Sequence, residues 1–342
     1  MGICCKNSEY SRQTYNELTL YQQVSLLITE KTNKNHKKTV KFTLKPAILS
    51  LFGDLTQPYF SIKYSGIVLP GQDPANLHKK DCQDNIFIQQ QDNILIAGLF
   101  DGHGENGESV VNFCISYMKA YIQLHYSPSI QDPQNFLNSL ITTCSTQLRT
   151  CSSIDTSTSG TTAICLIIQN NILYIASVGD SRAIMANTYS EIVNTSKINN
   201  PYKRNFEVKK KIGFRNLTID QKPELESEKK RILECGGKVH KMTNQFGQFI
   251  GPYRVWKQSG GVPGLAMSRS IGDCIAKECG VTDEPICETI ELKPGLDLFL
   301  LIASDGVWDA VDSQEAVNYV ECFRGDCKND AVPTGIIDVN PI

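Results

Sequence analysis

The stretch Leu298–Ala310, LFLLIASDGVWDA, decides the fold once it is set beside Leu95–Gly104, LIAGLFDGHG. In both, an apolar run leads into an aspartate followed by glycine: Asp305-Gly306 in one, Asp101-Gly102 in the other. An apolar run of that length, bounded by a turn signal, reads as a buried strand. The sequence therefore twice places a carboxylate where a buried strand emerges, and His103 follows the first of them by two residues. Rigidly held carboxylate oxygens suit hard divalent cations such as Mg²⁺ or Mn²⁺. A lone Asp-Gly after a strand is ordinarily only a turn. Two with matching apolar lead-ins, one beside a histidine, point to metal-assisted hydrolysis.

Outward from these anchors, Ile86–Gln89 and Ile94–Phe100 read as a hairpin joined across polar Gln90–Asn93. Val111, Cys114, Ile115, Met118 and Ile122 recur at helical spacing and predict a helix over Ser109–His125. A second helix is expected from Asp132, with Pro133 in its first turn and Leu137, Leu140, Ile141, Cys144 and Leu148 on its apolar face. Strands are expected at Thr161–Ile168, Ile172–Val178 and Arg182–Ala186, and more weakly patterned ones around Phe42 and Ile62. Residues 187–216 are rich in Asn and Lys with little periodicity, and read as a surface insertion. A helix is expected after Pro223, with Glu224, Glu226 and Glu228 early in it and Gly236-Gly237 at its end. Asp312 with Glu315 predicts a capped helix over Glu315–Phe323. Strands separated by so short a turn are antiparallel, which favours packed antiparallel sheets with outer helices over a doubly wound parallel sheet.

The 342-residue chain is long enough for a substantial core, and 41% hydrophobic with 20% charged residues is ordinary for a globular protein. A net charge of -2 gives no reason to expect nucleic acid as a partner. Thirteen cysteines include no Cys-x-x-Cys pair. No apolar stretch of roughly 7–15 residues opens the chain, so reduced thiols in a cytoplasmic protein are expected. The apolar run Ala163–Val178 is broken by Gln169, Asn170 and Asn171, so it reads as two strands and a turn rather than a membrane span.

Eight strings occur in a characteristic order: KKDCQD (Lys79–Asp84), FDGHG (Phe100–Gly104), SGTTA (Ser159–Ala163), VGDSRA (Val178–Ala183), LTIDQKP (Leu217–Pro223), PGLAMSRSIGD (Pro263–Asp273), VTDEP (Val281–Pro285) and ASDGVWD (Ala303–Asp309). Together they resemble the PPM-type (type 2C) metal-dependent serine/threonine protein phosphatases. The resemblance implies an α+β fold, a four-layer α/β/β/α sandwich with two central antiparallel sheets flanked by helices. It also implies phosphoprotein substrates and two Mg²⁺ or Mn²⁺ ions bridged by Asp101, with Gly102 lending a carbonyl to one ion and Asp305 binding the other. A metal-bridging hydroxide would attack phosphorus, and His103 would protonate the departing oxygen as general acid. Gln83-Asp84 stands where many members carry a Glu-Asp pair near the metals. Lys79 stands where many carry a phosphate-binding arginine, with Lys80 as a competitor. Asp155 lies where some members recruit a third metal, although a Ser/Thr-rich loop aspartate explains it equally well. Asp180, Arg182 and Asp273 fit a buried ion pair or turn as well as catalysis.

Two departures from the family pattern stand out. Members usually continue to a last strand led by Asp-Asn or Asp-Asp, and no such string follows Phe323; Asn329-Asp330 is reversed. The expectation is therefore a shortened form or a site lacking a ligand, with an unpaired sheet edge where the last strand belongs. This keeps an alternative open, a catalytically weak member acting as a regulatory or scaffold subunit; another metallohydrolase on similar carboxylates is a third reading. The expected organisation is an N-terminal extension over 1–58 and a phosphatase domain over 59–342, monomeric if the domain is complete. Gly2 with Cys4 and Cys5 resembles a dual-acylation signal, with Lys6 where Ser or Thr is usual. It implies peripheral attachment at the cytosolic face of a membrane, against an unmodified tail as the alternative.

Overall fold

Period-two alternation sorts the side chains of each central strand between two cores, and that sorting sets the layers. The computed structural model describes residues 49–56, 60–70, 82–194, 206–326 and 336–341. The first strands are β1 (Leu49–Thr56), β2 (Phe60–Val68), β3 (Asp84–Gln91) and β4 (Ile94–His103), followed by helices α1 (Gly107–His125) and α2 (Pro133–Thr150). Next come β5 (Gly160–Thr161), β6 (Ala163–Gln169), β7 (Ile172–Val178), β8 (Arg182–Asn194) and β9 (Phe206–Asn216). Helix α3 (Glu226–Glu234) leads to β10 (Gly237–Thr243), β11 (Phe249–Lys257), β12 (Pro263–Leu265) and β13 (Ile271–Gly272). The chain continues through α4 (Cys274–Lys277), β14 (Ile286–Glu291), β15 (Asp297–Ala303), α5 (Asp305–Trp308), α6 (Ser313–Asp326) and β16 (Ile336–Pro341).

One sheet runs β1-β2-β16-β15-β8-β9; the other runs β13-β5-β4-β6-β7-β14 with β3 on β4. On β6, Ala163, Cys165 and Ile167 face α1 and α2, whereas Ile164, Leu166 and Ile168 face the other sheet. On β15, Leu300 joins that inter-sheet core while Phe299 and Leu301 pack with Trp308, Ala316 and Val317. Helices thus lie outside both sheets, the four-layer sandwich expected from the sequence. The periodic residues named on α1 and α2 are buried, and Asp132 Oδ1 caps α2 by accepting from the Asn135 amide at 2.8 Å. Asp312 caps α6 in the same way, accepting from the Glu315 amide at 2.8 Å. Asn170 and Asn171, with φ of 52° and 62°, make the two-residue β6–β7 turn. Among the described residues no helix is long and apolar enough to cross a membrane.

Two expectations are corrected, and a third gains structure. Within the expected surface insertion, residues 187–194 and 206–216 are strand: β8 runs on to Asn194 and pairs with β9 from Ile184↔Asn216 to Asn194↔Phe206. The ribbon projects, so both its faces are wet; Tyr189, Ile192 and Val208 are exposed, and no apolar alternation is needed. The sheet edge expected to lack its last strand is filled, because β16 pairs with β15 on one side and β2 on the other. Its Ile-Ile-x-Val run suits a strand, which the polar residues before it concealed. Strand β1 pairs with β2 across the boundary drawn at residue 58, so the first sheet begins inside the expected extension. The strand expected around Phe42 lies outside the described residues.

A third, small sheet, β10-β11-β12, packs Val255 and Leu265 against Ile232 of α3 and Ala276 of α4. Beside it, buried Glu228 ties α3 to the segment that follows β12. Arg269 and Arg231 each approach its carboxylate to 2.7 Å, and Ser268 Oγ donates to it at 2.7 Å. Burial works to raise the Glu228 pKa, but these donors outweigh it and hold the group down at about 2. Because the folded pKa is depressed, the stabilisation is complete above the ordinary value of 4.5 and is lost as pH falls toward 2. Glu228→Gln is expected to cost about 3 kcal/mol at pH 7 and to flatten the acid dependence in that window. Urea denaturation at pH 7 and pH 3 checks it; equal midpoints for the variant and the parent at pH 7 would contradict the assignment.

Candidate active site

Antiparallel pairing of β3 with β4 sets Asp84 directly opposite Asp101. Asp305 arrives from the other sheet, as the first residue of α5 just beyond β15. Ser304 Oγ, one residue earlier, donates to Asp84 Oδ2 at 2.9 Å and ties the two strand ends together. The Asp101 carboxyl lies close enough to interact with both Asp84 and Asp305, so the three form a row with Asp101 at its centre. Burial first, then the charges of Asp84 and Asp305, push the Asp101 carboxyl up to about 9. Asp305 is also raised, by burial and by Asp180 and Asp309, with Lys222 acting in the opposite direction. The row calls for a proton or a cation to offset its charge. Among the described residues no three His, Cys, Asp or Glu side chains close into one metal-ligating cluster. An extended row with a shared central carboxylate and an all-oxygen donor set nevertheless fits hard cations flanking Asp101.

The backbone around Asp101 has no slack. Its amide donates to Thr162 Oγ1 at 3.1 Å, and its carbonyl accepts from the Thr162 amide at 3.0 Å. A Cβ on Gly102 would lie 2.8 Å from the carbonyl oxygens of both Gln83 and Gly107. The Gln83 side-chain amide donates to the Gly104 carbonyl at 2.8 Å, so it braces the Asp-Gly-His-Gly loop. Asp180 is buried beside this row; Lys222 Nζ donates to its Oδ2, while its Oδ1 has no partner among the described residues. Next to it, Arg182 grips Asp220 through Nε and Nη2 at 2.9 and 2.6 Å and lies over the Trp308 ring.

His103 Nε2 lies 2.7 Å from Asp273 Oδ2, a contact across 170 residues of sequence. Burial lowers the histidine pKa, but the Asp273 hydrogen bond and charge outweigh it and leave it raised. His103 Nδ1 has no partner among the described residues. The pair borders a cleft of about 250 Å³ that Arg254, Pro263 and Met267 also line. Arg254 Nη1 donates to the Gly264 carbonyl at 2.6 Å.

Asp84, Asp101, Gly102, His103 and Asp305 therefore converge. Asp155 does not join them: its Oδ1 accepts from the Ser157 amide at 2.9 Å in a local loop turn, and the Ser157 hydroxyl, then that amide, hold its pKa down. Lys79 and Lys80, and Gly2, Cys4 and Cys5, lie outside the described residues. The sequence reading missed Lys222 and left Asp273 and Asp180 undecided. The signal for them was indirect, since a buried aspartate requires a partner and only the fold supplies its identity. Gly102→Ala is expected to cost about 1–3 kcal/mol, because the new Cβ meets backbone atoms that cannot move aside. Thermal unfolding checks it, and an unchanged midpoint would show that the loop can give.

The sequence model of the family "Protein phosphatase 2C" matches residues 74–334. Two Arabidopsis thaliana proteins, probable protein phosphatase 2C 73 and probable protein phosphatase 2C 34, are 31% and 32% identical, each over 67% of this chain. The matches cover 61% and 62% of those proteins, so the chain spans under two thirds of their length. A serine-threonine phosphatase 2C from Toxoplasma gondii shares the fold with a TM-score of 0.54 at 18% identity, over 82% of this chain and 90% of its own. A C. elegans sex determining protein does so with a TM-score of 0.56 at 17% identity, over 96% of this chain and 67% of its own.

Proposed function

The chain belongs to the protein phosphatase 2C family, and from that premise we propose that it is a metal-dependent protein serine/threonine phosphatase. The observation that carries the reading is the row Asp84–Asp101–Asp305 set beside His103–Asp273. Asp101 would be shared by two Mg²⁺ or Mn²⁺ ions, with Asp84 and the Gly102 carbonyl on one side and Asp305 on the other. When bound, such ions supply a water acidic enough to attack phosphorus near neutral pH and offset charge on the phosphoryl oxygens. Asp273 holds His103 Nε2 and favours the charged imidazole, the form that can give a proton to the departing serine or threonine oxygen. Asp180 and Lys222 hold the ground behind Asp305, and the Thr162 bonds keep Asp101 in place. The matched plant relatives carry phosphatase names, which does not favour the scaffold alternative.

Phosphate release from a phosphoserine peptide should require Mg²⁺ or Mn²⁺ and stop in EDTA. His103→Gln should lower turnover of that peptide about 10²–10⁴-fold and of an aryl phosphate far less, because a phenolate leaves without a proton. Release in EDTA would refute the metal requirement, and equal losses on both substrates would make His103 structural.

Acylation at Gly2, with palmitate at Cys4 or Cys5, is supported by the sequence alone. It would place the protein on the cytosolic face of a membrane. Gly2→Ala should abolish incorporation of a clickable myristate analogue in cells; labelling that survives the substitution would end this reading.

A further inference from the structure

The small third sheet is chemically unlike the rest of the molecule. No aspartate or glutamate lies between Glu234 and Asp273, yet Lys238, His240, Lys241, Arg254, Lys257 and Arg269 do, in a chain of net charge -2. Lys257 and Arg269 are neutralised by Glu278 and Glu228. Among the described residues Lys238, Lys241 and Arg254 meet no carboxylate. Lys238 donates to the Gln258 carbonyl, Lys241 lies 5.1 Å from the Tyr253 ring centroid, and Arg254 donates to the Gly264 carbonyl. This positive charge is therefore open to a partner.

The same hairpin exposes large apolar side chains. Phe246 and Phe249, at its tip, are 77% and 72% exposed, and Met242 and Ile250 face each other in register with 43% and 45%. Scattered apolar residues on a surface mean little, but a contiguous group on one hairpin marks an interaction site. The hairpin is continuous with the candidate active site. Arg254 of β11 and Pro263 of β12 line the same cleft as His103. In the same sheet, Trp256 stacks on His240 with ring centroids 5.2 Å apart and donates to the His240 carbonyl at 2.9 Å. A chain leaving the cleft on this side meets basic and apolar groups, and no acidic one from the sheet.

We propose that the β10–β11 hairpin docks the substrate segment flanking the phosphorylated residue, and that it selects segments carrying acidic side chains beside a large apolar one. The proposal rests on the phosphatase reading above and names the substrate class for that site. Lys238, Lys241 and Arg254 attract the acidic residues, while Phe246, Phe249 and Ile250 bury the apolar one. Rim charges act mainly on encounter and apolar anchors on residence, so discrimination falls in KM rather than kcat.

The test uses the 342-residue protein with Mg²⁺ or Mn²⁺ and two phosphoserine peptides of equal length. One carries glutamates and a phenylalanine around the phosphoserine, the other lysines and an alanine. Binding is read by fluorescence anisotropy and turnover as kcat/KM, with an aryl phosphate too small to reach the hairpin as reference. The acidic-aromatic peptide should bind and turn over about tenfold better, and the advantage should shrink in high salt. In the triple variant K241Q/F246S/F249S the advantage should fall to about twofold, with the loss in KM. Equal handling of the two peptides, or an unchanged ratio in the variant, would overturn the proposal. Binding preference without turnover of any substrate would refute the phosphatase reading, and with it the substrate role, leaving the hairpin as a peptide-binding surface alone. Vesicles rich in phosphatidylserine that bind the parent and not the variant, with no peptide preference, would overturn it in favour of a membrane surface.

Discussion

Three half-buried carboxylates brought together are a standing electrostatic cost, and the rest of the architecture is arranged around holding them there. Asp84 and Asp101 face each other because β3 and β4 are in register, and Asp305 joins because the second sheet ends at the same place. Burial and mutual repulsion push the central group up to about 9, so separation of the strands would relieve it. The sandwich prevents that. Thr162 holds Asp101 through two hydrogen bonds, Ser304 bonds across the sheets to Asp84, and the Gly102 backbone is wedged between two carbonyls. Lys222 offsets part of the charge from behind Asp180. A site strained in this way favours whatever brings positive charge, which is the chemistry a hard cation supplies.

What the sequence disclosed follows the same physics. Strands that run through the core, such as β4 and β15, are apolar over most of their length and end abruptly, so they and the aspartates after their apolar runs are readable from the chain. The Asn170-Asn171 turn is readable because few other residues accept its left-handed backbone. The β8–β9 ribbon was not readable, because it meets solvent on both faces and carries no alternation. Strand β10 was hidden for a related reason: it sits in a small sheet with one face in contact with α3 and α4 and the other wet.

Side-chain partnerships were least legible. His103 could be placed next to a carboxylate by adjacency, but Asp273 lies 170 residues away and is aimed at it only by the β5–β13 pairing. Gly160 of β5 pairs with His103 on one side and with Gly272 on the other, so one small strand carries the orientation of the histidine. Likewise Glu228 read as a helix-dipole residue, whereas the structure buries it among Arg231, Arg269 and Ser268. A charged residue in the first turn of a helix has a local explanation, and that explanation concealed the long-range one.

That buried knot explains how the third sheet can remain so open. Three short strands with one packed face would be marginal alone. Glu228, on α3, ties that helix to the Ser268–Arg269 segment that runs from β12 toward Asp273, while Ile232 of α3 packs against Val255 and Leu265 of the sheet, so the module is anchored where it adjoins the candidate active site. Anchoring at the base frees the far end from any duty in folding. The tip can then present Phe246 and Phe249 to solvent, while the lysines along β10 discourage pairing with another sheet edge. An apolar tip on a positively charged, acid-free hairpin, held rigidly at one end beside a cleft, is an arrangement that packing does not require. Its position beside the cleft that His103 borders is what the docking proposal accounts for.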